Sequence, residues 1–430
     1  MPMKLLLVPR RAALLAGHVN ELDVLCRLQA PPAPPNASSR PPLNMAIVLD
    51  RSGSMAGQPL TEAIRCAGFM LERLTASDRA SIVVYDNNVE VLVPSIPVVD
   101  RGRFRRALAS IVAGGSTALH GGWLAGAEQV AAHLRGDRIS RVLLLSDGRA
   151  NHGLTDAAQI RAQCLQLSGE GVTTSTYGLG ERFNEELMAA MADAGRGNSY
   201  YGKTADDLVD PFQEEFELLS AMCAHRIRLT LRPAAGVEVA VRNGYPQQDG
   251  AILLPDLAHG GEAWALLKLR VPRAVAIDPR AVLLEASVSM MDMQGQPAHI
   301  DPSSLRLPAV TASAYAAVAE DDLVRRRSQE MDAAQLQDQA RIAALAGDWT
   351  KVTALLEQAR AQAADNPWVS ESLTVLERYA RQRQSRAFSK EAWYKSRKMR
   401  SRLTAHSEEE WSDDENTATY LRRKREQGRR

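Results

Sequence analysis

The spacing of hydrophobic residues changes period several times along the chain, and each change predicts a different kind of structure. Leu22, Val24, Cys26 and Leu28 alternate with more polar positions, which predicts a strand with one covered face; Met3 to Val8 reads as another. Six prolines then fall in the thirteen residues from Ala30 to Pro42, so this stretch reads as an extended spacer. From Asn44 the pattern switches to short apolar runs separated by helical spacing. Met45 to Leu49 and Val142 to Leu145 predict buried strands, while Leu60, Ile64, Ala67, Leu71 and Leu74 recur on one helical face. Further strands are expected at 81–85, 89–93, 173–179 and 198–201, and helices at 104–111, 119–134, 156–167, 185–194 and 206–222. Strands alternating with helices imply a doubly wound, mainly parallel α/β sheet covered on both faces.

After Cys223 the period falls to two. Ile227, Leu229 and Leu231 alternate, as do Val237, Val239 and Val241, and similar stretches continue to Met291 between Pro/Gly turns. This predicts a small antiparallel β-sandwich over 223–311. The orphan strands of residues 1–30 would complete it, so that the α/β domain of 43–222, reached through the 31–42 linker, is an insertion between sandwich strands. Residues 312–388 are rich in Ala, Leu, Gln and Arg, and breaks at Gly347-Asp348 and Asn366-Pro367 predict two or three helices packed as hairpins. Residues 389–430 read as a charged tail, either without structure or folding on a partner.

Composition changes this picture only at the end of the chain. The 430 residues are 45% hydrophobic and 24% charged, ordinary globular usage, and 52 basic residues nearly balance 51 acidic ones. That balance hides a tail. Residues 381–430 hold 15 Lys/Arg and 8 Asp/Glu, leaving the preceding 380 residues at −6. No apolar run approaches the ~20 residues that span a bilayer, and the first residues do not make a secretory signal, so a cytoplasmic protein is expected. Cys26, Cys66, Cys164 and Cys223 stand singly in apolar segments and read as reduced core thiols.

The candidate chemistry sits where apolar strands end. The first buried strand runs into Asp50-Arg51-Ser52-Gly53-Ser54-Met55, and the Val142 strand runs into Ser146-Asp147-Gly148. In open α/β sheets ligands collect at such carboxyl ends. Asp50, Ser52 and Ser54 alternate and can point to one side. The glycine-rich Ala113-Gly114-Gly115-Ser116-Thr117 brings one more hydroxyl to a helix start. Two carboxylates and three hydroxyls suit a hard divalent ion rather than zinc, with a coordination position left open. Arg51 and Met55 are expected at the rim, although Met55 also suits the core. His120 and His152 follow the loops and read as ordinary polar residues.

These three loops resemble the von Willebrand factor type A domain with its metal-ion-dependent adhesion site. That family's D-x-S-x-S falls on Asp50, Ser52 and Ser54, its loop threonine on Thr117 and its third-loop aspartate on Asp147. The resemblance covers about 44–222 and implies bound Mg²⁺ (or Mn²⁺ or Ca²⁺), no catalysis, and a protein partner that supplies an Asp or Glu to the metal. The flanking sandwich is similar to bacterial cytosolic proteins of this family and to inter-alpha-trypsin-inhibitor heavy chains, which implies an adaptor in a bacterial cytosolic assembly, with an AAA+ ATPase or a stress or defence module as the kind of partner.

Two other readings compete. Gly197 to Thr204 satisfies G-x-x-x-x-G-K-[ST], a nucleotide-binding expression, but Ser199, Tyr200 and Tyr201 are strand formers inside the would-be loop. Lys395, Arg397, Lys398, Arg400 and Arg402 beside Trp393 and Tyr394, with Arg422 to Arg425, could contact nucleic-acid phosphates, against competition from the acidic block 408–415.

Overall fold

The computed structural model describes residues 3–33, 40–147, 150–179, 184–202, 206–273 and 282–401. Three strands open the chain: Lys4–Pro9 (β1), Leu14–Leu15 (β2) and Asn20–Gln29 (β3). The α/β region follows as Leu43–Asp50 (β4), Gln58–Arg73 (α1), Arg79–Tyr85 (β5), Val89–Pro97 (β6), Arg101–Ala109 (α2), Leu119–Ala131 (α3), Ile139–Ser146 (β7), Ala157–Glu170 (α4), Thr173–Leu179 (β8), Glu185–Ala194 (α5), Arg196–Gly202 (β9) and Asp206–Ser220 (α6). Strands then return: Met222–Pro233 (β10), Glu238–Val241 (β11), Gln247–Gln248 (β12), Ala251–Leu253 (β13), Leu257–Ala258 (β14), Glu262–Val271 (β15), Leu284–Asp292 (β16), Pro297–Leu305 (β17) and Ala309–Val310 (β18). Helices Ala312–Ala317 (α7), Asp322–Leu345 (α8), Trp349–Gln362 (α9), Pro367–Arg381 (α10) and Ser385–Ser401 (α11) complete the described chain.

The α/β sheet has the order β6-β5-β4-β7-β8-β9, parallel except for the β5–β6 pair at one edge. The central strand β4 is buried along its whole length because it feeds two cores at once. Met45, Ile47 and Leu49 face α1, α2 and α6; Ala46 and Val48 face α3, α4 and α5. Double burial explains why its sequence is an unbroken apolar run rather than an alternation. All parallel strands end on one edge of this sheet, and Asp50 and Ser146 are the last residues of β4 and β7.

The other edge of the sheet meets the sandwich. One sandwich sheet has the order β1-β3-β15-β11, the other β12-β13-β10-β16-β17. Gly136, just before β7, lies so close to Gly295 of the β16–β17 turn that an added Cβ would meet its Cα at 2.6 Å. Only paired glycines allow that approach. Arg196, at the start of β9, reaches across to donate to the carbonyls of Ile227 and Leu254 at 3.3 and 2.9 Å.

Strand β3 departs from the one-sided reading. Val24, Cys26 and Leu28 enter the sandwich core, but Leu25 is equally buried, packed with Trp264 and Leu266 of β15 against the C-terminal helices. Helices that begin 300 residues later cover the face that the sequence pattern leaves open. Because β3 is an inner strand bonded on one side to β1 and on the other to β15, deleting residues 1–30 should uncover both cores and the β15 edge. The expected outcome is aggregation on expression, read as loss of the soluble monomer in gel filtration. An unchanged soluble yield and melting temperature would contradict this role.

The helical region is also longer than expected. Its helices do not stop at 388, because α11 carries Phe388, Ala392 and Met399 on one buried stripe against α8. A further break at Arg383, whose φ is +50°, separates α10 from α11. The basic residues of α11 that suggested a tail are spent in ion pairs: Arg397 with Asp193 (2.6 Å) and Arg400 with Asp338 (2.5 Å). Lys398 lies 4.9 Å from the Tyr394 ring centroid. Lys395 lies 3.7 Å from Glu391, and the remaining cations of the nucleic-acid reading, Arg402 and Arg422 to Arg425, fall outside the described residues. No helix among the described residues is long and apolar enough to cross a membrane.

Candidate metal centre

Asp50 is placed by the sheet rather than by its loop. As the last residue of β4 it is fully buried, paired in register with Tyr85 of β5. Its Oδ1 accepts the Ser52 N–H at 2.9 Å, which turns the chain sharply out of the strand. Its Oδ2 accepts the Ser146 hydroxyl at 2.6 Å and the Tyr85 hydroxyl at 3.4 Å. Ser52 is buried and its Oγ lies 3.1 Å from that of exposed Ser54. The five candidate ligands thus rise from a buried carboxylate to a surface hydroxyl.

Backbone hydrogen bonds tie the glycine-rich loop to the first one. Gly53 N–H donates to Gly115 O at 3.0 Å, and Gly114 N–H donates to Arg51 O at 2.8 Å. Gly115 has φ +76°, and a Cβ there would meet Asn87 Oδ1 at 2.1 Å, so both conformation and space require glycine. Thr117 is buried; its N–H donates to Asn151 Oδ1 at 2.8 Å and its carbonyl accepts the Asn151 and His152 N–H groups, both at 3.2 Å. Asp147 follows β7 and is buried beside Asp50.

The electrostatics of this cluster are those of a site short of positive charge. Burial pushes the Asp50 carboxyl up to about 6, and the neighbouring charge of Asp147 acts in the same direction; the Ser146 and Ser52 hydrogen bonds oppose it. Arg51, next in sequence, turns away to pair with Asp86 and Glu90, both at 3.1 Å. The buried Asp50 carboxylate, with Asp147 near enough to act on it and the Ser52 and Ser54 hydroxyls beside it, offers oxygen donors that a hard divalent cation would balance. Among the described residues no group of three or more His, Cys, Asp or Glu side chains converges, the arrangement zinc would ask for. Asp50, Ser52, Ser54, Thr117 and Asp147 therefore fit an oxygen-bound divalent ion, which they would hold through carboxylate and hydroxyl oxygens.

The sequence reading missed three supporting groups. Tyr85, Ser146 and Asn151 orient the candidate ligands, yet each is a lone polar residue whose partner is set by strand register or loop packing. Met55, expected at the rim or in the core, is fully buried in the core. His120 Nε2 lies 2.6 Å from Gln163 Oε1, and His152 is exposed. Gly197 lies within β9, where a Cβ would come within 2.1 Å of Thr174 O. Residues 199–202 pair with β8, so this segment does not wrap a phosphate; Lys203 and Thr204 lie outside the described residues. The four cysteines are buried and free, and burial pushes the thiols of Cys26, Cys66 and Cys223 up to about 12. None has the depressed pKa of a reactive nucleophile.

Residues 44–214 match the von Willebrand factor type A domain family. An uncharacterised protein, sll0103, of Synechocystis is 30% identical over 206 residues, 47% of either chain. Human inter-alpha-trypsin inhibitor heavy chain H3 is 27% identical over 186 residues, 40% of this chain and 21% of that one. The chain thus spans about half or less of the length of these curated relatives. A solved von Willebrand factor type A protein from Catenulispora acidiphila superposes over 87% of this chain and 88% of its own, with TM-score 0.71 and 18% identity. That likeness extends the shared fold well beyond the type A domain.

Proposed function

We propose that this chain is a non-enzymatic interaction protein that captures an acidic side chain of a protein partner through a divalent cation, Mg²⁺ or alternatively Mn²⁺ or Ca²⁺. The observation that carries the reading is the buried Asp50 carboxylate facing Asp147, with only hydroxyls completing the set, at the edge of the sheet opposite the sandwich. A divalent cation there would supply an electron-pair acceptor for an incoming carboxylate. The chain's own residues do the rest. Asp50 and Asp147 bring the charge, the serines and Thr117 fix direction, and the Gly53–Gly115 and Gly114–Arg51 hydrogen bonds keep the loops together. Four unpaired, buried thiols suit the reducing cytoplasm in which we place the protein, as an adaptor in a bacterial assembly.

Calorimetric titration with Mg²⁺ and Mn²⁺ tests the site directly. Asp147→Ala should lower cation affinity by more than the roughly 10–100-fold that outer hydrogen-bonding partners contribute, because it removes a charged ligand. Thr117→Ala should act less on the ion and more on capture of an acidic partner, recovered from a host lysate with and without EDTA. Undiminished cation affinity in Asp147→Ala would overturn the assignment. ATP hydrolysis by the purified chain would overturn the non-enzymatic reading.

A further inference from the structure

Resting on the cation site proposed above, we infer that Arg51 is its positioning residue: by holding Asp86, the guanidinium sets the spacing between the first loop and Thr117 and makes the site prefer Mg²⁺ to Ca²⁺. Charge alone gives no reason for an arginine here. A guanidinium one residue from Asp50 repels a divalent cation, so Arg51 weakens the site unless it acts through geometry. The contacts of Arg51 define that geometry.

Arg51 is connected to both ends of the loop that delivers Thr117. At the near end its carbonyl accepts the Gly114 N–H at 2.8 Å, while its own N–H donates to Tyr85 O at 2.8 Å. At the far end its Nε donates to Asp86 Oδ2 at 3.1 Å, and the Asp86 carbonyl accepts the N–H of Ala118, the residue after Thr117, at 2.7 Å. The other Asp86 carboxylate oxygen accepts the Asn88 N–H at 2.7 Å, which fixes the carboxylate within its own turn. Arg51 Nη1 donates to Glu90 Oε2 at 3.1 Å and so bridges the β5–β6 hairpin. Between the two anchors lie Gly114 and Gly115, whose backbones are permissive, so backbone bonds at the near end alone do not fix Thr117. Asn151 holds Thr117 to the third loop, and Arg51 holds it, through Asp86, to the first.

The consequence is selectivity rather than stability. The Glu90 contact is exposed and the Asp86 contact only partly buried, so the fold loses little without them. What they restrain is the spacing of a ligand set. Mg²⁺ demands six oxygens in a nearly ideal octahedron at about 2.0–2.1 Å, whereas Ca²⁺ takes roughly six to eight at about 2.3–2.6 Å in flexible arrangements. Drift of the Thr117 loop against the first loop therefore penalises Mg²⁺ and is absorbed by Ca²⁺. Lysine cannot replace the clamp, because it carries a point charge on a flexible stem where arginine presents a rigid fork that grips Asp86 and Glu90 together.

Calorimetric titration of the full chain with Mg²⁺ and with Ca²⁺ separates this role from charge and from folding, because a change in local charge moves both affinities together and leaves their ratio alone. Arg51→Lys, which keeps the charge, and Arg51→Gln, which removes it, should each weaken Mg²⁺ binding about 10-fold or more and Ca²⁺ binding far less, with the melting temperature in EDTA unchanged. Asp86→Asn should lower the preference for Mg²⁺ in the parent but add little to the loss already present in Arg51→Lys, since the two side chains act as one clamp. A preference for Mg²⁺ that survives intact in both Arg51 variants overturns the inference and leaves the cation site standing; tighter binding of both ions by Arg51→Gln would identify the arginine as a bystander charge. Equal losses for the two ions with a lowered melting temperature would make Arg51 a structural residue, and a parent that prefers Ca²⁺ would refute the selectivity; either overturns the inference. A parent that binds neither ion overturns both the inference and the site.

Discussion

In EDTA at pH 7, Asp50→Asn should unfold at a higher temperature than the parent protein, and in saturating Mg²⁺ the order should reverse. The reason is the burial of a carboxylate that has no cation beside it. Burial, with Asp147 adding to it, raises the Asp50 pKa to about 6 from an ordinary 3.8. At pH 7 the group is nonetheless ionised, so the metal-free fold bears the cost of the charge. A rise of that size corresponds to about 3 kcal/mol. The sign follows from the raised pKa: the favourable contribution of the protonated group is complete below the unfolded value and is lost as pH rises through about 6. The advantage of the variant should therefore be largest at pH 7 and shrink towards pH 4. Asparagine is isosteric, and its amide can still accept the Ser52 N–H and donate to the Ser146 hydroxyl, so little packing is lost. Cation at 100 times its Kd adds about 2.7 kcal/mol to the parent alone. Paired melting curves at pH 7 and pH 4, with EDTA or Mg²⁺, give the answer; a parent that is more stable in EDTA and indifferent to Mg²⁺ would sink the idea that this carboxylate is held for a metal.

The candidate ligands differ in how far the sequence reveals them. Asp50, Ser52 and Ser54 are legible because an apolar run must end where the sheet ends, and three alternating oxygen donors follow at once. Thr117 and Asp147 lie 67 and 97 residues from Asp50, and only the strand–helix alternation and the family resemblance bring them to the same edge. Tyr85 and Ser146 could not be found that way. Their meeting with Asp50 depends on the parallel register of three strands, which no local pattern encodes. The same limit governs the fold. Alternation reveals the sandwich face of β3, but Leu25 looks like an off-face residue until Val324 and its helix arrive from 300 residues away. In α11 the charges are conspicuous and the buried stripe of Phe388, Ala392 and Met399 is not, because residues 4 and 7 apart make a narrow seam beneath a basic surface. Its cations find their carboxylates on α5 and α8, out of reach of any sequence window.

The second large effect lies where the α/β domain meets the sandwich, and Arg141→Met should reveal it. Glu215 of α6 is fully buried and accepts from Arg141 (2.6 Å), Ser175 (2.6 Å), Asn198 (2.7 Å) and Tyr200 (2.9 Å). Burial alone would raise its pKa, but the Arg141 charge and the three hydrogen bonds outweigh burial and hold it below the ordinary range. Arg141 also lies 3.6 Å from Asp256 of the sandwich, which has Arg196 at 3.6 Å on its other oxygen. Removing one partner of such a pair leaves the other charged and dry, which costs about 3–5 kcal/mol. A lowered pKa gives stability that is present above the unfolded value and lost as pH falls through the folded one. Without Arg141 that sign inverts: Glu215 becomes a carboxyl pushed up by burial, and the deficit of the variant should shrink as pH falls from 7 towards 5. Adding Glu215→Gln to Arg141→Met should then cost far less than Glu215→Gln in the parent, since the uncompensated charge is gone while the amide oxygen still accepts from Tyr200 or Ser175. Urea unfolding of the four proteins at pH 7 and pH 5 completes the cycle. A coupling energy near zero, or a deficit that grows on acidification, would show that this buried network does not join the type A domain to its sandwich in the way the ion pairs imply.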